Sequence, residues 1–160
     1  MKNFILLLIV LISFGCSSDK VDLTIANSEA KAFIESQFDF FTSSSIEKAK
    51  TTFSNDAILI GTDQSEYLKG WSEIEPSIVG QLAIENPKFS TRDLNIIMSS
   101  SGDMASYTQL LDFSFDLNGE NGEIKDVRNS GVVKKTDGVW KIVQIHWSIG
   151  VEGQAVEYEY

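Results

Sequence analysis

Ala30, Phe33, Ile34, Gln37, Phe38 and Phe41 recur at intervals of three and four, while Glu29, Lys31, Glu35, Ser36 and Asp39 fall mostly between them. That spacing predicts an amphipathic helix, which Asn27 or Ser28 can cap. The run Thr42-Ser43-Ser44-Ser45 breaks it, and Ser45 is placed to cap a short second helix carrying Ile46, Ala49 and Phe53. Ala57 to Ile60 reads as a strand that stops at Gly61. Trp71 to about Glu85 again has helical spacing, with Ile74, Ile78 and Leu82 on one side. Ser72 and Glu75 fit a capping box there, with Pro76 early in the helix or kinking it.

From Phe89 the period changes to two. Leu94, Ile96 and Met98 alternate with Asp93, Asn95 and Ile97, and Tyr107 to Leu117 forms a second long strand. Its residues Leu111, Phe113, Phe115 and Leu117 share one face. After the turn cluster Asn118 to Gly122, two strands close the pattern as a hairpin around Thr136-Asp137-Gly138. Helices first and an antiparallel sheet afterwards describe an α+β domain. A three-residue loop would pair Lys135 with Val139 and set Arg128 opposite His146. A two-residue Asp137-Gly138 loop would oppose Asn129 to His146 and turn Arg128 to the other face. The three-residue loop is the expectation. It aims a titratable ring and a fixed cation, Arg128, into one space.

The amino terminus follows a different logic. Met1-Lys2-Asn3 is a basic start, and Phe4 to Phe14 is apolar except for Ser13. These eleven residues fall short of the about twenty that a spanning helix needs, but suit a signal-peptide hydrophobic region. Gly15 and the single cysteine, Cys16, come next. The segment resembles a bacterial lipoprotein signal, which implies lipidation at Cys16; Ser13 departs from the usual aliphatic residue three positions before the cysteine. The alternative is an ordinary cleaved signal with an incidental thiol. The expected organisation is a signal peptide over 1–15, a lipidated cysteine and tether over 16–25, a domain over 26–150 and an acidic tail over 151–160. Its expected place is the bacterial cell envelope, held by lipid to the outer rather than the inner membrane.

Composition narrows the function classes. The 160 residues allow one domain with a proper core. With 13 basic against 23 acidic residues the formal charge is −10, which repels phosphates and argues against nucleic acid as a partner. One cysteine and one histidine do not make a familiar zinc site. No metal and no cofactor is expected.

The helical start, Phe53 to Ala57, Gly61 to Glu66, Gly70-Trp71, Arg128-Asn129-Ser130 and Trp140-Lys141-Ile142 through His146-Trp147-Ser148 together resemble the SnoaL-like branch of the nuclear transport factor 2-like superfamily. The resemblance runs from about Ala26 to Gly150. It implies a cone, with N-terminal helices packed on a strongly curved sheet around a pocket, and frequent homodimers. It puts Glu66, Trp71, Tyr107, Arg128 and His146 at the pocket. Three readings stay open. The leading one is an exported, lipid-anchored domain that binds a small, partly apolar molecule in its cone. The second is an isomerase, cyclase or hydrolase, with Glu66 or Asp63 as base and His146, Arg128 or Tyr107 as donor. The third is a non-catalytic dimerisation or envelope-assembly module. Glu66 also reads as part of a solvated turn, His146 as a satisfied sheet histidine, and Arg128 as half of a structural ion pair. The three tryptophans read first as core or interface aromatics.

Overall fold

A computed structural model describes residues 21–117 and 119–150. The signal segment, Cys16, residues 17–20 of the tether and the acidic tail lie outside the described residues. Helix α1 (Leu23–Ser36) buries Ala26, Ala30 and Ile34 at four-residue spacing. It starts earlier than Asn27 or Ser28 would allow, because Asp22 caps it: its carboxylate accepts from Thr24 N at 2.9 Å and Ile25 N at 3.3 Å. A short α2 (Asp39–Thr42) follows and buries Phe40 and Phe41. Ser45 caps α3 (Ile46–Thr52) by accepting from Lys48 N.

Phe53 belongs to β1 (Phe53–Ile60) rather than to the preceding helix, and β2 (Tyr67–Lys69) folds back on it. Helix α4 (Trp71–Gln81) begins without the expected capping box. Gly70, at φ 75°, makes the entry, and Glu73 instead accepts from Lys69 N at 2.8 Å. The helix ends at Gln81, so Glu85 already opens β3 (Glu85–Met98), which leads to β4 (Met104–Leu117), β5 (Glu120–Thr136) and β6 (Val139–Ser148).

These strands form one sheet in the order β2-β1-β6-β5-β4-β3. All pairings are antiparallel except β1 against β6, which is parallel and makes the sheet mixed. The helices cover one face. Ile34, Phe53, Ile74, Ile78, Leu111 and Ile142 meet there with almost no exposure. Bulges interrupt β3 near Asp93 and β5 near Asp126, two non-glycine residues at φ 54°. Extra residues at these points bend and twist the sheet. Arg92 ties the two bulges together from outside, reaching Asp112 at 3.0 Å and also Asp126.

The final hairpin corrects the expected register. Asp137 and Gly138 both have positive φ, at 51° and 81°, and Thr136 pairs with Val139 across a two-residue turn. The ladder then jumps from Val133↔Ile142 to Val132↔Gln144, leaving Val143 as an extra residue. His146 therefore lies opposite Ser130, and Arg128 opposite Ser148. The turn alone would have put Asn129 opposite His146; the bulge moves every later pair by one.

Candidate functional site

Between the helices and the sheet lies a cavity of about 190 Å³. One side is aromatic. Phe38, at the entry to α2, stacks on Phe89 of β3 at 4.7 Å, and Phe89 stacks on Phe113 of β4 at 4.8 Å. Trp147 of β6 sets its edge against Phe38 at 5.3 Å. The other side is aliphatic, built from Leu59, Ile78, Ile142 and Ile145. Strand alternation explains the set: Ile145 and Trp147 face inward together, across from Gly131 and Asn129.

Four polar side chains join this lining: Gln37, Thr62, Glu66 and Gln81. Glu66 stands where β1 runs out into the loop leading to β2. Backbone bonds close that loop, Gly61 N to Glu66 O at 2.8 Å and Glu66 N to Asp63 O at 3.0 Å. The Glu66 carboxylate folds over Gly61 and accepts from Asp63 N at 3.2 Å. A Cβ on Gly61 would sit 2.0 Å from Glu66 Oε2, so only glycine leaves room for this placement. No ion pair involves Glu66 among the described residues. Asp63 serves the loop itself. Its carboxylate accepts from the Ser65 amide and hydroxyl, and those bonds hold its pKa below the ordinary value.

Behind the cavity is a buried polar network. Tyr107 is 2% exposed, and its hydroxyl donates to Gln37 Oε1 at 2.6 Å. Gln37 Nε2 in turn donates to Ile34 O at 2.8 Å. Burial pushes the Tyr107 phenol well above its ordinary pKa, and the bonds to Gln37 and Asn129 offset that only in part. On the neighbouring strands Gln109 Nε2 donates to Asn129 Oδ1 at 2.9 Å, and Asn129 Nδ2 donates to the His146 carbonyl at 3.3 Å. Gln109 Oε1 is buried without a protein partner among the described residues.

The residues expected at the pocket divide accordingly. Glu66 lines the cavity. Tyr107 adjoins it through Gln37 without lining it. Trp71 is buried at the start of α4 against Phe53, with ring centroids 6.0 Å apart, and is a core aromatic. Arg128 and His146 are not in the cavity. Since Ile145 and Trp147 point inward, His146 takes the outer face, between Ile60 and Ser130. Val127 and Asn129 likewise take the inner side of β5, which leaves Arg128 exposed on the outer face. A carboxylate and an imidazole on opposite sides of one sheet cannot act on one substrate atom, so Glu66 and His146 do not form an acid–base pair. Gln37 and Gln81 are cavity residues that were not expected at the pocket. The only signal was that Gln37 falls on the buried stripe of its helix.

The chain belongs to the SnoaL-like domain family, whose model matches residues 30–152. No curated protein matches it. Among solved structures it is similar to a nuclear transport factor 2-like superfamily protein from Salmonella enterica, at 18% identity and TM-score 0.70, covering 86% of this chain and 99% of that one. It is also similar to a nuclear transport factor 2-like protein of unknown function from Pseudomonas putida, at 19% identity and TM-score 0.68, covering 82% and 91%. A candidate scytalone dehydratase from Novosphingobium aromaticivorans superposes with TM-score 0.71 at 13% identity, covering 81% and 88%. These likenesses establish the cone-shaped fold.

Proposed function

We propose that this protein binds a small, largely apolar molecule inside its cone. The observation that carries this reading is the cavity itself, walled by stacked aromatic and aliphatic side chains with few polar groups among them. Its volume limits the occupant. Drug-sized ligands fill pockets of about 300–1,000 Å³, and benzene occupies an apolar cavity of about 150 Å³. The 190 Å³ here suits a single substituted ring or a short branched chain. Binding is favoured over catalysis because Glu66 has no acid–base partner from the outer face, and the buried phenol of Tyr107 is engaged with Gln37.

Export and lipid attachment at Cys16 form the second part of the proposal, supported by the basic start, the apolar run and the Gly15-Cys16 junction. Val21, Leu23 and Ala26 lie against Gly102, between β3 and β4, at the end of the sheet opposite Glu66 and Trp147. The described chain thus enters α1 at the end of the sheet away from Glu66 and Trp147. Two copies would pair across the outer sheet face, where Ile58, Ile60, Leu110 and Val132 are half-buried beside His146 and Ser130.

Thermal unfolding with a series of alkylbenzenes tests the central reading. A ligand that binds only the folded chain stabilises it, by about 2.7 kcal/mol at a hundred times Kd, so the melting temperature rises with concentration. Ethylbenzene should raise it and naphthalene-sized or larger bodies should not. A melting temperature indifferent to every member of the series would remove the ligand-binding reading.

A further inference from the structure

We propose that the cavity selects a ligand with a cationic head, an apolar primary amine, whose ammonium group sits on the Glu66 carboxylate while its body fills the aromatic space. This rests on the ligand-binding reading above and adds the chemical class. Among the described residues Glu66 is the one formally charged side chain in the cavity lining, and it is half-buried. Its carboxylate is a placed group, since the backbone bonds of residues 61–66 fix the loop and the missing Cβ of Gly61 makes room for Oε2. It accepts one backbone amide and takes part in no ion pair among the described residues.

A half-buried carboxylate with spare acceptor capacity is best completed by a charged donor. The lining supplies none: its other polar groups are neutral, and Gln37 is already bonded to Tyr107 and Ile34. The surroundings act in the same direction. Asp63 and Glu85 lie exposed in the segments next to the lining residues Thr62 and Ile84, and the chain carries a net charge of −10. That field draws cations toward the mouth and repels carboxylates. Cations flank the lining too: Lys88, Lys125 and Lys141 are sequence neighbours of Phe89, Ile124 and Ile142, and the Arg128 guanidinium lies next to Gly150 just past Ile149, yet among the described residues none pairs with Glu66. If Arg128 reached into the mouth and set the selectivity, anions would be preferred instead, and the experiment separates the two.

Calorimetric titration with four compounds of one shape is the test: 2-phenylethylamine, 2-phenylethanol, ethylbenzene and phenylacetate. The amine should bind about tenfold tighter than the alcohol, the value of one added charge-assisted contact, and phenylacetate should bind weakest. Glu66→Gln should bring the amine down to the alcohol and leave ethylbenzene unchanged. Gly61→Ala, which displaces the carboxylate without removing it, should also weaken the amine selectively. Equal binding of amine and alcohol, tightest binding of phenylacetate, or a Glu66→Gln loss shared by all four would overturn the proposal while leaving the cavity as a ligand site. Failure of all four, ethylbenzene included, would overturn the ligand-binding reading and this proposal with it.

Discussion

Replacing Tyr107 by Phe removes one oxygen from a deeply enclosed polar contact. The hydroxyl is held at 2.6 Å from Gln37 Oε1 by a residue only 2% exposed, and Gln37 itself is 1% exposed. The substitution leaves Gln37 Oε1 without its donor, while Nε2 stays tied to Ile34 O. A buried acceptor stripped of its partner costs about 1–3 kcal/mol, a large share of the about 5–15 kcal/mol that holds a domain together. Urea unfolding should show a lower midpoint with an unchanged slope. The double change Tyr107→Phe with Gln37→Leu should cost less than the sum of the single changes, because both polar ends are then gone.

The same pair makes a pH prediction. The Tyr107 phenol is raised above its ordinary value near 10 in the folded chain. Above that pH the unfolded chain gives up the proton and the folded chain keeps it, so the unfolded state gains and stability falls as pH rises. The contribution is fully present below pH 10 and declines by up to about 1.4 kcal/mol per pH unit above it. Tyr107→Phe should lack that part of the decline. A loss under about 0.5 kcal/mol at neutral pH, smaller than any buried orphan acceptor explains, would refute the reasoning, as would parallel alkaline profiles for the two proteins.

Ile78→Ala, at a position 1% exposed on the cavity wall, should destabilise by about 2–5 kcal/mol and admit a bulkier alkylbenzene; calorimetry and ligand titration read both effects. Asp22→Ala should cost about 1 kcal/mol by removing the cap of α1, seen as a lower thermal midpoint. His146→Ala and Arg128→Ala should leave ligand affinity within about twofold, since neither lines the cavity, whereas Ile60→Asp, which puts a charge into the outer-face apolar patch of the proposed pairing, should weaken self-association in sedimentation analysis. On the proposed lipid attachment, Cys16→Ser should move the expressed protein from the detergent phase to the aqueous phase; partition unchanged by the substitution would contradict that attachment.

Much of the fold was legible in the sequence, because burial enforces period. The stripe of α1, the capping role of Ser45 and the alternation of β3 and β4 all survive in the structure. Helix starts were less legible: Asp22 caps α1 with its carboxylate ahead of the expected Asn27 or Ser28, and Gly70 opens α4 through a backbone conformation that polar pattern alone does not display. The site was hardest to read. A lone histidine draws attention, but the side of the sheet it takes depends on register, and register here turns on one extra residue at Val143. Alternation of Ile142, Val143, Gln144 and Ile145 carries no sign of that bulge, since all four suit a strand. Glu66 was visible only as one acid in a polar loop. Its value comes from Gly61 five residues earlier, through a contact that only folding creates. Gln37 lay in plain view on an apolar stripe, where a polar residue needs a buried partner; Tyr107 is that partner, seventy positions away.

The most direct test of ligand binding is anomalous scattering from a crystal of the protein exposed to bromobenzene. A single bromine peak between Phe89, Trp147 and Ile78, inside the cavity, is the expected result. An empty cavity with the phenylalanines closed into it, or bromine found only on the outer sheet face, would contradict it.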